Sequence, residues 1–348
     1  MSVITIVGAG MMGSALSMPA CDNGHTVRLV GTHLDRDIVD SVRETHWHPT
    51  MRRALPEPVE AFQLEQLDRA LERADLLICG VSSFGVDWFA ERVLPVIPSS
   101  LPVLSVTKGM VDLPDGALQP YPRYLAEKQP GRKLNLNAIG GPCTSYELAD
   151  RRQSTVAFCG DDPDTLRWLR SLLGTDYYHV ACSTDVVGVE CAVAMKNAYA
   201  LAVSLAVGLT EAQDGEGCTL AYNPQAALFG QSVREMTKLI ELTGGRPENI
   251  VWAAGDLYVT IFGGRTRRLG TLLGRGLTIR EALAALEGVT LESVVIAGRT
   301  IAALHRLAEA GRVSLDEFPL LLHIDALLNE GRKVDIPWKA FERDCFDE

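Results

Sequence analysis

At 348 residues the chain is long enough for two cores, and its apolar and charged fractions, 47% and 22%, are those of an ordinary globular protein. A formal net charge of −11 argues against a nucleic-acid-binding surface, yet leaves room for a phosphorylated small molecule held by a few basic residues in one cleft. The eight cysteines form no C-x-x-C pair and no zinc spacing, so no metal is expected and a reduced, cytoplasmic protein fits.

Val3–Val7 reads as the first strand, and with no basic region before it no signal peptide is expected. It runs into Gly8-Ala9-Gly10-Met11-Met12-Gly13 and then Ser14-Ala15-Leu16. This is G-x-G-x-x-G between a strand and a helix: one glycine for the tight turn, one for close approach of backbone to a pyrophosphate, one for helix–strand packing. The helix N-terminus that follows favours an anion. The second strand, Thr26–Val30, ends in Gly31-Thr32-His33-Leu34-Asp35-Arg36. Neither an acid for a ribose nor an arginine for a 2′-phosphate stands at the strand tip, so NAD and NADP both remain open.

Further strands are expected at 76–81, 103–107, 137–139 and 155–159, with helical patterns such as 38–44 and 64–73 between them. Apolar strands alternating with helices imply an α/β fold with a mostly parallel, doubly wound sheet. The pair His46 and His48 around Trp47 has no further ligand nearby and reads as incidental.

Near residue 185 the strands stop. Helices are expected over 186–209, 224–243, 247–260, 279–286, 291–311 and 316–329. The chain is thus divided into residues 1–187, a dinucleotide-binding domain, and 188–348, an all-helical domain.

The first of these helices carries the sharpest signal. The stretch 186–209 is apolar nearly throughout, except for Glu190, Lys196 and Asn197. Its length and composition suit a membrane span or the central helix of a large core. A lysine at mid-span opposes insertion by roughly 2.5–3.5 kcal/mol, so the core helix is preferred. An ammonium inside a core is costly without partners, and one so placed can take and return a proton. Lys196 is therefore the candidate catalytic group. The plain alternative is a structural ion pair with Glu190 or Asp256.

The motifs GAGMMGSAL, SVTKG (105–109), GGPCTSYELA (140–149), GVECAVAMKN (188–197), NPQAALFGQSVREM (223–236) and the segment 253–276 follow one another in fixed order. Together they make the chain resemble the NAD(P)-dependent glycerol-3-phosphate dehydrogenases over residues 3 to 330. The resemblance implies a Rossmann-like domain followed by an all-helical substrate domain. It implies hydride transfer between NAD or NADP and C2 of glycerol 3-phosphate or dihydroxyacetone phosphate, and a place in glycerophospholipid metabolism. It makes Lys196 the general base, with Lys108 and Asp256 placing and tuning it. Lys108, Gly141, Cys143, Asn197, Asp256, Thr260, Arg265 and Thr266 fall at substrate positions. Gly8, Gly10, Met11, Met12, Gly13, Ser83, Lys108, Ser145, Arg265 and Glu287 fall at cofactor positions. A small phosphorylated substrate, a homodimer through the helical half and a cytoplasmic location are the further expectations.

Most of the departures lie on the substrate side. Thr266 stands where the family has an asparagine, and Cys143 where it has a hydroxyl or small residue. Ser82-Ser83 replaces a proline-serine, and residues 43–58 lack a tyrosine-leucine-proline-glycine signature. Two other readings follow: the same chemistry on another polyol phosphate or hydroxy acid, or a non-catalytic dinucleotide-binding protein.

Overall fold

The computed structural model describes residues 1–289 and 291–342. Eight strands form one sheet: β1 (Val3–Val7), β2 (Thr26–Val30), β3 (Val59–Phe62), β4 (Leu76–Cys79), β5 (Val103–Ser105), β6 (Leu136–Gly140), β7 (Ser154–Cys159) and β8 (Tyr178–Ser183). Their order is β8-β7-β6-β5-β4-β1-β2-β3, parallel except where β6 meets β7. The strands β1 and β4 are buried almost throughout, as continuous apolar runs covered on both faces must be. Strand order reverses at β1, between β2 and β4, and a crevice for a ligand opens at the carboxyl ends of strands at such a switch point.

Two of these strands, β3 and β8, escape the sequence reading. Val59–Phe62 is short and carries Glu60 on an edge strand, and β8 is only partly buried along the other edge, so neither forms a continuous apolar run. The helices Val86–Arg92 and Tyr121–Glu127 lie between strands, where helical patterns are expected, and Pro163–Leu173 lies beyond the last expected strand. The last of these is capped by Asp162, whose carboxylate accepts from the N–H groups of Asp164 and Thr165 at 3.2 and 3.1 Å.

The chain divides into two compact units. One comprises residues 1–109 and 120–190 and contains the whole sheet; the other comprises 110–119 and 191–348 and is helical. A single division at 187/188 misses the excursion of 110–119. That segment, most of a hairpin of Met110–Asp112 with Leu118–Pro120, belongs to the helical unit for a physical reason. Arg299 donates to the Met110 carbonyl at 2.7 Å, and Arg306 donates to the Asp112 carboxylate at 2.7 Å and the Leu113 carbonyl at 3.0 Å.

The long helix spans Val186–Asp214 and starts at Asp185, whose carboxylate accepts the Gly188 N–H at 2.9 Å. It is the one described helix long and apolar enough to cross a membrane, and most of its apolar window is buried by the chain itself. Within the helical unit it packs backbone to backbone against Gly264–Gly274. A Cβ at Gly208 would lie 2.1 Å from the Thr271 carbonyl oxygen, and one at Gly274 would lie 2.2 Å from the Leu205 oxygen. The stretch 264–274, which falls outside the expected helices, is a helix whose Gly270 and Gly274 permit this approach.

Candidate active site

In the sheet unit the glycine loop follows β1. Gly8 has φ +108, and a Cβ there would lie 2.7 Å from the Gly80 carbonyl carbon. A Cβ at Gly13 would lie 2.6 Å from the Gly8 carbonyl oxygen. These two glycines are needed by the fold itself, as is Gly80 at the end of β4, which the sequence offered no reason to single out. Gly10 is different. A Cβ there would meet only the Gly80 oxygen, at an ordinary 3.8 Å. Packing within the chain does not demand glycine at 10, whereas a pyrophosphate laid against the loop does. The loop also feeds the helix Met11–Ala15, whose N-cap Gly10 offers no side chain to satisfy the first N–H groups. The residues present fit a dinucleotide.

Met11 and Met12, half-buried, pack against the apolar core beside the loop. Ser83 opens a short turn, 83–85, after β4. Lys108 follows β5 and donates to the Gly141 carbonyl at 2.8 Å, which ties the 105–109 and 140–145 motifs together. Gly109 is required there because a Cβ would lie 2.3 Å from the Tyr121 ring. Gly141 has φ +107, and beyond it Cys143 is partly exposed while Ser145 is buried at the start of Ser145–Ala149. Glu190 is fully enclosed, and neither carboxyl oxygen has a hydrogen-bond partner among the described residues. Burial pushes its carboxyl up to about 8, with the Lys108 charge pulling the other way. The sequence reading offered Glu190 as a partner of Lys196; its electrostatic neighbour is Lys108.

In the helical unit Lys196 Nζ donates to Asp256 Oδ1 at 2.6 Å. The Asp256 side chain is 1% exposed and that of Lys196 17%, so the carboxylate is enclosed while the lysine reaches partway to solvent. Such a charge-assisted bond is short and directional, and it fixes where Nζ sits. Thr260 lies one turn beyond Asp256, but its hydroxyl donates back to the Asp256 carbonyl at 2.7 Å rather than to the carboxylate. Asn197 is partly exposed next to Lys196. Arg265 is exposed, with no protein partner among the described residues, while Arg267 donates to the Ile261 carbonyl. Thr266 turns inward and is only 8% exposed. Glu287 is exposed just past the helix Ile279–Ala285. Among the described residues no three His, Cys, Asp or Glu side chains gather as metal ligands.

Sequence reasoning passed over one further residue. His48 is fully buried, and its Nε2 lies 2.9 Å from the carbonyl oxygen of Ala9 in the glycine loop. Its sequence neighbourhood has no motif; only the fold brings it 39 positions back to the loop.

A doubly wound sheet with a glycine cradle, and in the helical unit a Lys–Asp pair with an enclosed carboxylate, are the parts that a dinucleotide-dependent oxidoreductase needs. The family model described as NAD-dependent glycerol-3-phosphate dehydrogenase N-terminus matches residues 3–165, and that described as its C-terminus matches 185–338. The chain belongs to this family. It is 34% identical to the NADP(+)-dependent glycerol-3-phosphate dehydrogenase of Archaeoglobus fulgidus over 337 residues, covering 96% of this chain and 97% of the relative. It is 30% identical to the glycerol-3-phosphate dehydrogenase [NAD(P)+] of Bacillus pumilus, covering 96% and 92%. A crystal structure of glycerol-3-phosphate dehydrogenase from Coxiella burnetii superimposes with a TM-score of 0.77 at 25% identity, covering 98% and 97%.

Proposed function

We propose that this chain transfers hydride between NAD or NADP and C2 of glycerol 3-phosphate or dihydroxyacetone phosphate, with Lys196 as the proton-transferring group. The observation that carries the reading is the Lys196–Asp256 pair, a buried carboxylate aiming one ammonium from an otherwise apolar helix. Family membership supports the substrate class.

In the oxidising direction Lys196 as the neutral amine takes the C2 hydroxyl proton and becomes the ammonium, and in the reducing direction the ammonium returns a proton to the carbonyl oxygen. The bound nicotinamide supplies the hydride acceptor or donor. Asp256 holds Nζ in place. Arg265, exposed and unengaged, offers a planar fork to the substrate phosphate, as its position in the family motif implies. Lys108, Asn197 and Thr260 are assigned to the substrate hydroxyls and phosphate, and Gly8, Gly10 and Gly13 to the cofactor pyrophosphate. Ser83, Ser145 and Glu287 are assigned to the cofactor's remaining contacts. Cys143 and Thr266 occupy family substrate positions with altered chemistry, so they are where a different polyol phosphate would register. We further assign the enzyme to the cytoplasm and to glycerophospholipid metabolism, acting as a homodimer.

The test is oxidation of NADH and of NADPH by the purified protein with dihydroxyacetone phosphate, compared with Lys196→Ala. Loss of the general base should lower kcat by about 10²–10⁴-fold while dinucleotide binding persists. Near-normal turnover by Lys196→Ala would sink the mechanism. Dinucleotide binding by wild type without turnover on this substrate would redirect attention to other polyol phosphates and hydroxy acids, or to a non-catalytic role.

A further inference from the structure

The two peptide groups on either side of Ala9 are each held by a side chain from outside the loop. The Gly8–Ala9 N–H donates to Asp35 Oδ2 at 3.3 Å, and the Ala9–Gly10 carbonyl lies 2.9 Å from His48 Nε2. The histidine has one tautomer available. Its Nδ1 accepts the Met51 N–H at 3.1 Å, so in the neutral ring the hydrogen sits on Nε2 and is donated to the Ala9 oxygen. Burial pushes the His48 pKa down and favours that neutral form. Asp35 is fixed in turn, since the same Oδ2 accepts from the Thr32 N–H and hydroxyl, both at 2.8 Å.

Because the peptide is planar and trans, anchoring the Ala9 oxygen on His48 also fixes the Gly10 N–H, which points to the opposite side. An unanchored carbonyl at this point is free to rotate its oxygen toward the anion, where it repels phosphate. We propose that His48 and Asp35 form a two-sided clamp on Ala9 that presets the glycine loop for the dinucleotide pyrophosphate. The clamp acts through the loop, so both are positioning residues. It explains why a buried histidine with no ligand partner stands at 48, and why Asp35 folds back from beyond the tip of β2 (Thr26–Val30).

The inference rests on the dinucleotide reading above. Its test is fluorescence titration of NADH and NADPH into the full-length protein without substrate, with thermal melts to establish folding. In His48→Gln the side-chain N–H reaches where Nε2 lies; in His48→Asn it does not, and His48→Leu has no donor. Loss of the bond should weaken dinucleotide binding by about tenfold in the Asn and Leu variants, the ratio expected for one lost hydrogen bond, with near wild-type affinity in the Gln variant. Wild-type affinity in Asn and Leu, or Gln as weak as Leu, overturns the clamp. Should the Asn and Leu proteins not fold, Asp35→Ala, at the partly exposed jaw, carries the criterion: about tenfold weaker binding supports the clamp and unchanged binding overturns it. Absence of binding by the wild type would instead overturn the dinucleotide reading.

Discussion

Two carboxyls, Glu190 and Glu235, are fully buried and are treated in opposite ways. Glu235 accepts from the Leu320 and Leu321 N–H groups at 2.8 and 3.0 Å, from Gln231 at 2.8 Å and from the Tyr199 hydroxyl at 3.1 Å, so it anchors the start of the helix Pro319–Asn329. Glu190 has no such donors, and with its carboxyl pushed up to about 8 it is mostly protonated at neutral pH. The folded state therefore holds a proton that the unfolded chain, titrating near its ordinary 4.5, has released. Stability attributable to Glu190 falls as pH rises from about 4.5 to about 8, by up to roughly 1.4 kcal/mol per pH unit. Glu190→Gln removes that dependence. Its denaturant midpoint should gain on wild type steadily from pH 5 to pH 8; a gap that stays constant over that range would mean the carboxyl ionises normally in the fold. Legibility at this scale followed charge contrast. Lys196 and Glu190 stood out because a charge interrupts an apolar run, but nothing in the local sequence says that Glu190 is left without donors or that His48 reaches the glycine loop.

Among the elements, glycine has two distinct uses that sequence cannot separate. Gly208, Gly270 and Gly274 let the long helix and its neighbour Gly264–Gly274 touch along their backbones. Gly230 and Gly298 also lie within helices, yet a Cβ on either would meet nothing within 4 Å. Gly208→Ala should destabilise the protein by about 2–4 kcal/mol, since the obstacle is rigid backbone on both sides. Gly230→Ala and Gly298→Ala should each stabilise by about 0.5–1 kcal/mol by restoring helix propensity. Thermal or urea unfolding of the three variants decides the matter, and equal effects of one sign would contradict this account of the packing. The strand–loop–helix at the N-terminus and the long apolar helix were legible because one local pattern dictates each. The helix 264–274 was not, because its glycines argue against helix until the neighbouring backbone is known.

For the molecule as a whole, the division into units does not follow the order of the chain. Residues 110–119 leave the sheet unit's run and are held in the helical unit by Arg299 and Arg306, with Met110 and Leu118 buried. A fragment of residues 191–348 therefore lacks a piece of its own core. It should melt lower and less cooperatively than the full chain, and a synthetic peptide of residues 108–121 should raise its midpoint by mass action. Far-ultraviolet circular dichroism with and without peptide measures this; a fragment that folds equally well alone would show that the hairpin contributes nothing to that unit.

The sequence by itself determined the α/β sheet followed by helices, the glycine cradle, the family and the identity of Lys196 as the group to watch. Each of these but the family is written in a short window: an apolar period, a turn that demands glycine, or a charge out of place; the family is carried by several such motifs in fixed order along the chain. Only tertiary structure decided which carboxylate holds Lys196, that Asp256 is its partner and Glu190 is not. It also decided that Gly80 packs against Gly8, that His48 returns to Ala9 and that 110–119 joins the helices. The physical reason is common to all four. They are pairings between residues far apart in the chain: burial makes an unsatisfied polar group costly, and close backbone approach excludes a Cβ at Gly8 and Gly80, yet no local pattern names the partner.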